Sequence, residues 1–121
     1  VRLGSLERLG VPFAFHSDSP MAPLEPLPLV SAAVNRITIN GNLTGDLERV
    51  SVDAGLRAIT SNAAWVIGWE DEIGSIRAGK KADFTVLESD PYKVKPSQIK
   101  AIKIWGTVFE GVPAPLPAAA R

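Results

Sequence analysis

The sequence predicts an α/β fold that gives way, near residue 70, to a β-rich segment. Three observations carry this. A short apolar run at 11–15, ending in the polar cluster His16-Ser17-Asp18 before Pro20, sits between two stretches of helical periodicity. That periodicity returns from Val52 to Val66. After Gly74 the pattern shortens to that of strands, with Ile, Val, Phe and Trp set between Gly-Lys-Lys and Asp-Pro-Tyr turns.

Val1, Leu3, Leu6 and Leu9 stand near helical spacing, and Gly10 is a natural C-terminal stop, so a short helix opens the chain. Residues 11–15 then read as a buried strand with Val11, Phe13 and Phe15 on its inner face, delivering Asp18 to its C-terminal end, where parallel barrels keep their chemistry. The loop 17–28 is stiffened by Pro20, Pro23, Pro26 and Pro28. Proline suits the first turn of a helix, so the next helix is expected to begin at Pro26 or Pro28 and to run to Arg36. Asn40-Gly41-Asn42 and Thr44-Gly45-Asp46 mark turns. Ser51 is placed to cap one long helix whose core stripe is Val52, Leu56, Ile59, Ala63 and Val66, with Gly68 as its end. Strands are expected at 75–77, 83–87 and 99–109, with 84–87 buried on both sides. Val112 to Pro117 carries alternate prolines and cannot be a central strand, which leaves an edge segment or a tail. The division falls between 1–70 and 71–121. Trp65, Trp69 and Trp105 are assigned to the core by default.

At 121 residues the chain is too short for a complete (β/α)8 barrel, which takes roughly 250. Its 13 basic and 13 acidic residues cancel, so there is no footprint for nucleic acid or an anionic membrane, and neither is expected as a partner. The absence of cysteine excludes a disulfide framework, a thiolate zinc site and a cysteine nucleophile, and agrees with a cytoplasmic location. No apolar run approaches the length of a membrane-spanning helix, and no signal-peptide pattern opens the chain. The only methionine is Met21 and the first residue is Val1, which suggests that Val1 is not a natural start.

Gly74 to Lys80 has the spacing of a phosphate-binding loop. Lys81 stands where that loop needs Ser or Thr, and a strand rather than a helix follows, so a turn is the better reading. Asn42-Leu43-Thr44 matches a glycosylation acceptor, which matters only in a secreted protein. His16 is the only histidine, which excludes a triad or a histidine-rich metal site built within this chain. Taken locally, His16 is a rim residue or a ligand, and Asp18 is a turn residue or a reactive carboxylate.

Thr60-Ser61-Asn62-Ala63-Ala64, Gly68, Ile73-Gly74-Ser75-Ile76, Ala78-Gly79-Lys80, Ala82-Asp83-Phe84, Val86-Leu87 and Asp90-Pro91 resemble, in order and spacing, the C-terminal signature of the metal-dependent amidohydrolase superfamily. Ser17-Asp18-Ser19-Pro20 and the loop Pro23 to Leu27 look like the end of its eighth barrel strand. They are most similar to the branch of N-acyl amino-acid and N-substituted formamide hydrolases. The resemblance implies the last βα unit or units of a TIM-type (β/α)8 barrel, followed by part of a small β-sandwich. It implies one or two divalent metals, usually zinc, in the full-length parent and none in this chain alone. Asp18 takes the place of the aspartate that binds metal, accepts a proton from the attacking water and passes it to the leaving nitrogen. His16 is implied to sit beneath the site in a supporting role.

The His-x-His pair and the later barrel histidines of that superfamily have no counterpart here. The expected reading is therefore a C-terminal portion of a hydrolase of small-molecule amide-type C–N bonds, inactive by itself. The alternatives are a stand-alone oligomeric interaction module and a hydrolase assembled from two chains. If the chain folds alone, its unpaired strand edges and the face of Val11, Phe13 and Phe15 favour a homo-oligomer.

Overall fold

The structure is a computed structural model that describes residues 1–117, so residues 118–121 of the predicted 71–121 segment lie outside the described residues. Its centre is helix α2, Pro26–Asn35, flanked by α1, Leu3–Arg8, and by α3, Val52–Ala58, and α4, Ser61–Val66. Strands β1, Phe84–Leu87, β2, Ile104–Phe109, and β3, Val112–Pro115, form an antiparallel sheet in that order. The result is a small α/β arrangement with one three-stranded sheet, and no barrel is present among the described residues.

Helix α2 starts where proline fits, with Pro26 at its first position, and ends at Arg36, whose backbone is left-handed at φ 55°. Leu27, Val30, Ser31, Ala33 and Val34 are buried, the recurrence of one helical face. That face meets Val50, Ile99 and Ile102, with Leu3, Phe13, Phe15, Leu56 and Leu87 packed around it. Helix α3 comes close because Gly55 has no side chain. A Cβ there would stand 2.9 Å from Val30 Cγ1 and 3.4 Å from Val34 Cγ2.

The first helix is held by Glu48. Its carboxylate accepts hydrogen bonds from the Ser5 amide at 2.8 Å and the Ser5 hydroxyl at 2.7 Å. The Ser5 hydroxyl, then the Ser5 amide, with Arg8 and Arg2 beside them, hold the Glu48 carboxyl below its ordinary range.

Several expected elements differ. Residues 11–15 form no strand, because no neighbouring strand among the described residues offers a ladder. The Phe15 amide instead donates to the Ala58 carbonyl at 3.2 Å, and Asn62 Nδ2 donates to the Phe13 carbonyl at 3.0 Å. Phe13 and Phe15 still share a face, with ring centroids 5.7 Å apart, and they are half-buried against the core rather than uncovered. The single long helix is two helices. Thr60, at φ −130° and ψ −98°, breaks it, and its hydroxyl donates to the Leu56 carbonyl at 2.8 Å in competition with the helix ladder. Val52, Leu56 and Ile59 of the predicted stripe pack half-buried against the core and Ala63 is half-buried, beside the buried Gly55, Ala58 and Ala64, whereas Val66, beyond the break, is exposed. Ser51 does cap α3, its hydroxyl accepting from the Ala54 amide at 3.0 Å.

The strand expected at 75–77 is a loop, and 96–101 is a 3₁₀ turn that begins at Pro96, so β2 starts only at Ile104. In that loop the Lys80 ammonium donates to the carbonyls of Glu70 and Ile73, which closes the turn from within. Thr85 and Val86 are exposed, so β1 is not buried on both sides: it is an edge strand, with β2 as its one ladder neighbour among the described residues. Trp65 and Trp69 are more than half exposed and lie outside the core, and Trp105 is half-buried.

β3 is the edge strand that the prolines predicted. Leu116 N–H donates to the Trp105 carbonyl at 2.9 Å, so by alternation Ala114 faces β2 and the nitrogens of Pro113 and Pro115 face outward. The same parity turns Phe84 and Val86 toward β2 and the peptide groups of Thr85 away from it. β2 and β3 are joined through Glu110 and Gly111, both at positive φ, a two-residue hairpin turn whose Glu110 amide donates to Asp83 at 2.7 Å. No helix among the described residues is long and apolar enough to cross a membrane.

Candidate functional site

The segment carrying His16 and Asp18 is positioned from below by helices α3 and α4. The two backbone contacts at Phe13 and Phe15 fix residues 13–15, and the packing of both rings against the core fixes their direction. Beyond them the chain turns sharply: Asp18 adopts a left-handed backbone, φ 54°, which aspartate tolerates better than most residues, and its carbonyl accepts from the Met21 amide at 2.8 Å. The result is an exposed Asp18 side chain at the lip of a cleft.

That cleft, about 420 Å³, is lined by Phe15, His16, Ser17, Asp18 and Ser19, by Leu24, Glu25 and Pro26, and by Leu29, Ile59 and Ala63. The structure thus brings His16 and Asp18, the two residues singled out in the sequence, to one opening, with both side chains exposed. Neither the Asp18 nor the Glu25 carboxylate makes a side-chain hydrogen bond or ion pair among the described residues. Glu25 precedes the first turn of α2, yet its side chain makes no capping hydrogen bond to that helix.

Two residues at this site were not singled out from the sequence. Glu25 sits in the Pro23 to Leu27 loop, whose likeness to the end of the eighth barrel strand is its one sequence signal, and the course of that loop brings it into the same lining as Asp18. Asn62 supports the site through its bond to the Phe13 carbonyl, and its only sequence signal is its place in the Thr60-Ser61-Asn62 run.

A second, larger groove of about 820 Å³ runs between α3, α4 and the sheet, sharing Pro26, Ile59 and Ala63 with the cleft. Its walls are mostly apolar and Asp83 is the only charged residue among them, so it offers no acid–base pair. Groups with perturbed ionisation also lie elsewhere. Asp53 is held low by its bonds from Arg57 and Tyr92, and Tyr92 is raised by burial and by Asp53. His16, Asp18 and Glu25 are the ionisable residues that line the smaller cleft.

Comparison with known proteins bears directly on this site. A model of the amidohydrolase family matches residues 1–115. An amidohydrolase-type protein of Bacillus subtilis (strain 168), YtcJ, is 34% identical over 105 residues, covering 84% of this chain and 20% of that protein. The N-substituted formamide deformylase of Arthrobacter pascens is 34% identical over 103 residues, 85% of this chain and 19% of the relative. An imidazolonepropionase of Bacteroides fragilis (strain YCH46) is 44% identical over 48 residues, 40% of this chain and 12% of its own length. The chain therefore spans about a fifth of the length of the two relatives that cover most of it.

Proposed function

The chain belongs to the amidohydrolase family, and from that premise we propose that it is the C-terminal portion of a metal-dependent hydrolase of non-peptide C–N bonds, inactive by itself. The supporting observation is the placement of Asp18, held at the lip of a cleft by a left-handed turn with its carboxylate unengaged.

Members of the superfamily are generally metal-dependent. The residues of this chain do not amount to such a site: no three His, Cys, Asp or Glu side chains among the described residues converge as metal ligands. In the complete protein we assign a divalent metal, zinc, to ligands outside this sequence together with Asp18. The part of the reaction that belongs to this chain is proton transfer. As a water oxygen bonds to the amide carbonyl carbon, the Asp18 carboxylate takes the water proton. As the C–N bond breaks, it returns that proton to the departing nitrogen. His16, two residues earlier on the same rim, supports the orientation of the site, and we place the protein in the cytoplasm.

The test is Asp18→Asn in the full-length protein. The Asp18 side chain is exposed and unpaired, so the isolated chain should keep its stability, while the full-length protein should lose at least about a hundredfold in turnover, the usual contribution of a positioned acid–base group. Turnover within a few-fold of wild type removes Asp18 from the reaction.

A second reading, favoured by the unpaired edge at β1, is that the 121-residue chain taken alone forms a homodimer.

A further inference from the structure

We infer that the Asp18 cleft selects against anionic substrates, and that Glu25 is the residue that does so. This deepens the hydrolase reading above and rests on it.

The lining of the cleft contains Asp18, Glu25 and His16 but no Lys or Arg. Among the described residues both carboxylates lack a neutralising side-chain partner. If Asp18 is committed to the reacting centre, Glu25 is the carboxylate left to face the substrate. The same lining carries Phe15, Leu24, Leu29 and Ile59, which give it an apolar character. The matching substrate is an amide whose variable portion is apolar and ends in a neutral or cationic group. An N-acyl amino acid, which brings a carboxylate, meets like charge and finds no guanidinium or ammonium in this wall. The effect is moderate, because Glu25 is exposed and salt screens it. A single charge about 6 Å away in a solvated cleft changes affinity by roughly three- to tenfold.

Binding to the 121-residue chain tests this without turnover. Hexylammonium, hexanol and hexanoate share one apolar tail, and each is titrated against the Asp18→Asn chain while the amide resonances of His16, Leu24 and Leu29 are followed. The expected order is hexylammonium tightest and hexanoate weakest, with the cation-to-anion ratio falling at least threefold in a chain that also carries Glu25→Gln and kept by Glu25→Asp. Equal affinity for the two ions, or a ratio indifferent to Glu25→Gln, overturns the inference. In the full-length protein, formamides of 1,4-diaminobutane and of 4-aminobutyrate give the same ratio as kcat/KM, and Glu25→Lys should invert it. Taking the ratio within each variant cancels any general loss of fold. Loss of all turnover in Asp18→Asn with a ratio unmoved by residue 25 defeats the charge inference and leaves the hydrolase reading standing. An Asp18→Asn protein that keeps its turnover defeats the assignment of Asp18 to the reaction even where the binding ratio responds to Glu25.

Discussion

Replacing Gly55 with alanine probes how the core is assembled. The new Cβ would lie 2.9 Å from Val30 Cγ1, inside the distance that carbon atoms normally keep, and 3.4 Å from Val34 Cγ2. Two effects oppose each other. Alanine in a helix interior is favoured over glycine by about 1 kcal/mol. Overpacking a closed core costs about 1–3 kcal/mol, and Val30 is fully buried, with little room to turn away. The packing cost should win by about 1 kcal/mol. With an unfolding entropy of about 2.1 cal/mol/K per residue, that lowers Tm by about 4 °C. The assay is thermal unfolding followed by circular dichroism, in a cycle with Val30→Ala. Val30→Ala alone should cost about 2–3 kcal/mol, because it empties a closed space. It also removes the methyl that the new Cβ would strike, so the double variant should recover about 1 kcal/mol relative to the sum of the single changes. A Gly55→Ala Tm at or above wild type, or strict additivity in the cycle, would refute this account of how α3 meets α2.

Glu48→Gln should destabilise the chain at neutral pH by loosening α1. Because the folded protein holds the Glu48 carboxyl below its ordinary value of 4.5, the wild-type advantage is fully present above that value and is lost as pH falls through the lower folded one. Paired thermal melts from pH 7 to pH 3 should therefore converge toward the acid end, and a constant gap would mean that the charge is not what matters. Ser51→Ala removes the cap of α3 and the hydroxyl that donates to Glu7 at 2.6 Å, so a loss of about 1–2 kcal/mol in urea unfolding is expected; less than about 0.3 kcal/mol would count against the cap. The isolated chain should sediment as a dimer, and Thr85→Pro should return it to a monomer. The Thr85 amide faces away from β2, so a proline there spares the existing ladder and blocks only the free edge. A dimer that survives the substitution is held by another surface.

What the sequence discloses is what local chemistry decides. Proline at the start of α2, serine at the start of α3, the edge character of β3 and the turn at Gly79-Lys80 each follow from properties of the residue itself, and the structure agrees on all four. What it conceals depends on neighbours. Residues 11–15 have the composition of a strand, but a strand exists only where another pairs with it, and the described chain supplies none there. The helix break at Thr60 is a contest between a side-chain hydroxyl and the backbone ladder, which periodicity does not register. Of the cleft, Asp18 and His16 are legible because a polar cluster closes an apolar run. Glu25 stands out less, because its place in the same lining comes from the course of the intervening loop.

The two edges of the sheet are chemically unequal, with proline nitrogens along the outer side of β3 and free peptide groups along β1. In the language of polymer growth, a sheet with two open edges is a bifunctional monomer that adds copies without limit. One with a single open edge is a chain stopper. Among the described residues, a strand that settles on β1 takes up the sheet's one free edge that still carries donors, and growth by pairing would stop at that contact. Pro113 and Pro115 thus blunt the outer edge of β3, and they do so through donors that proline does not have.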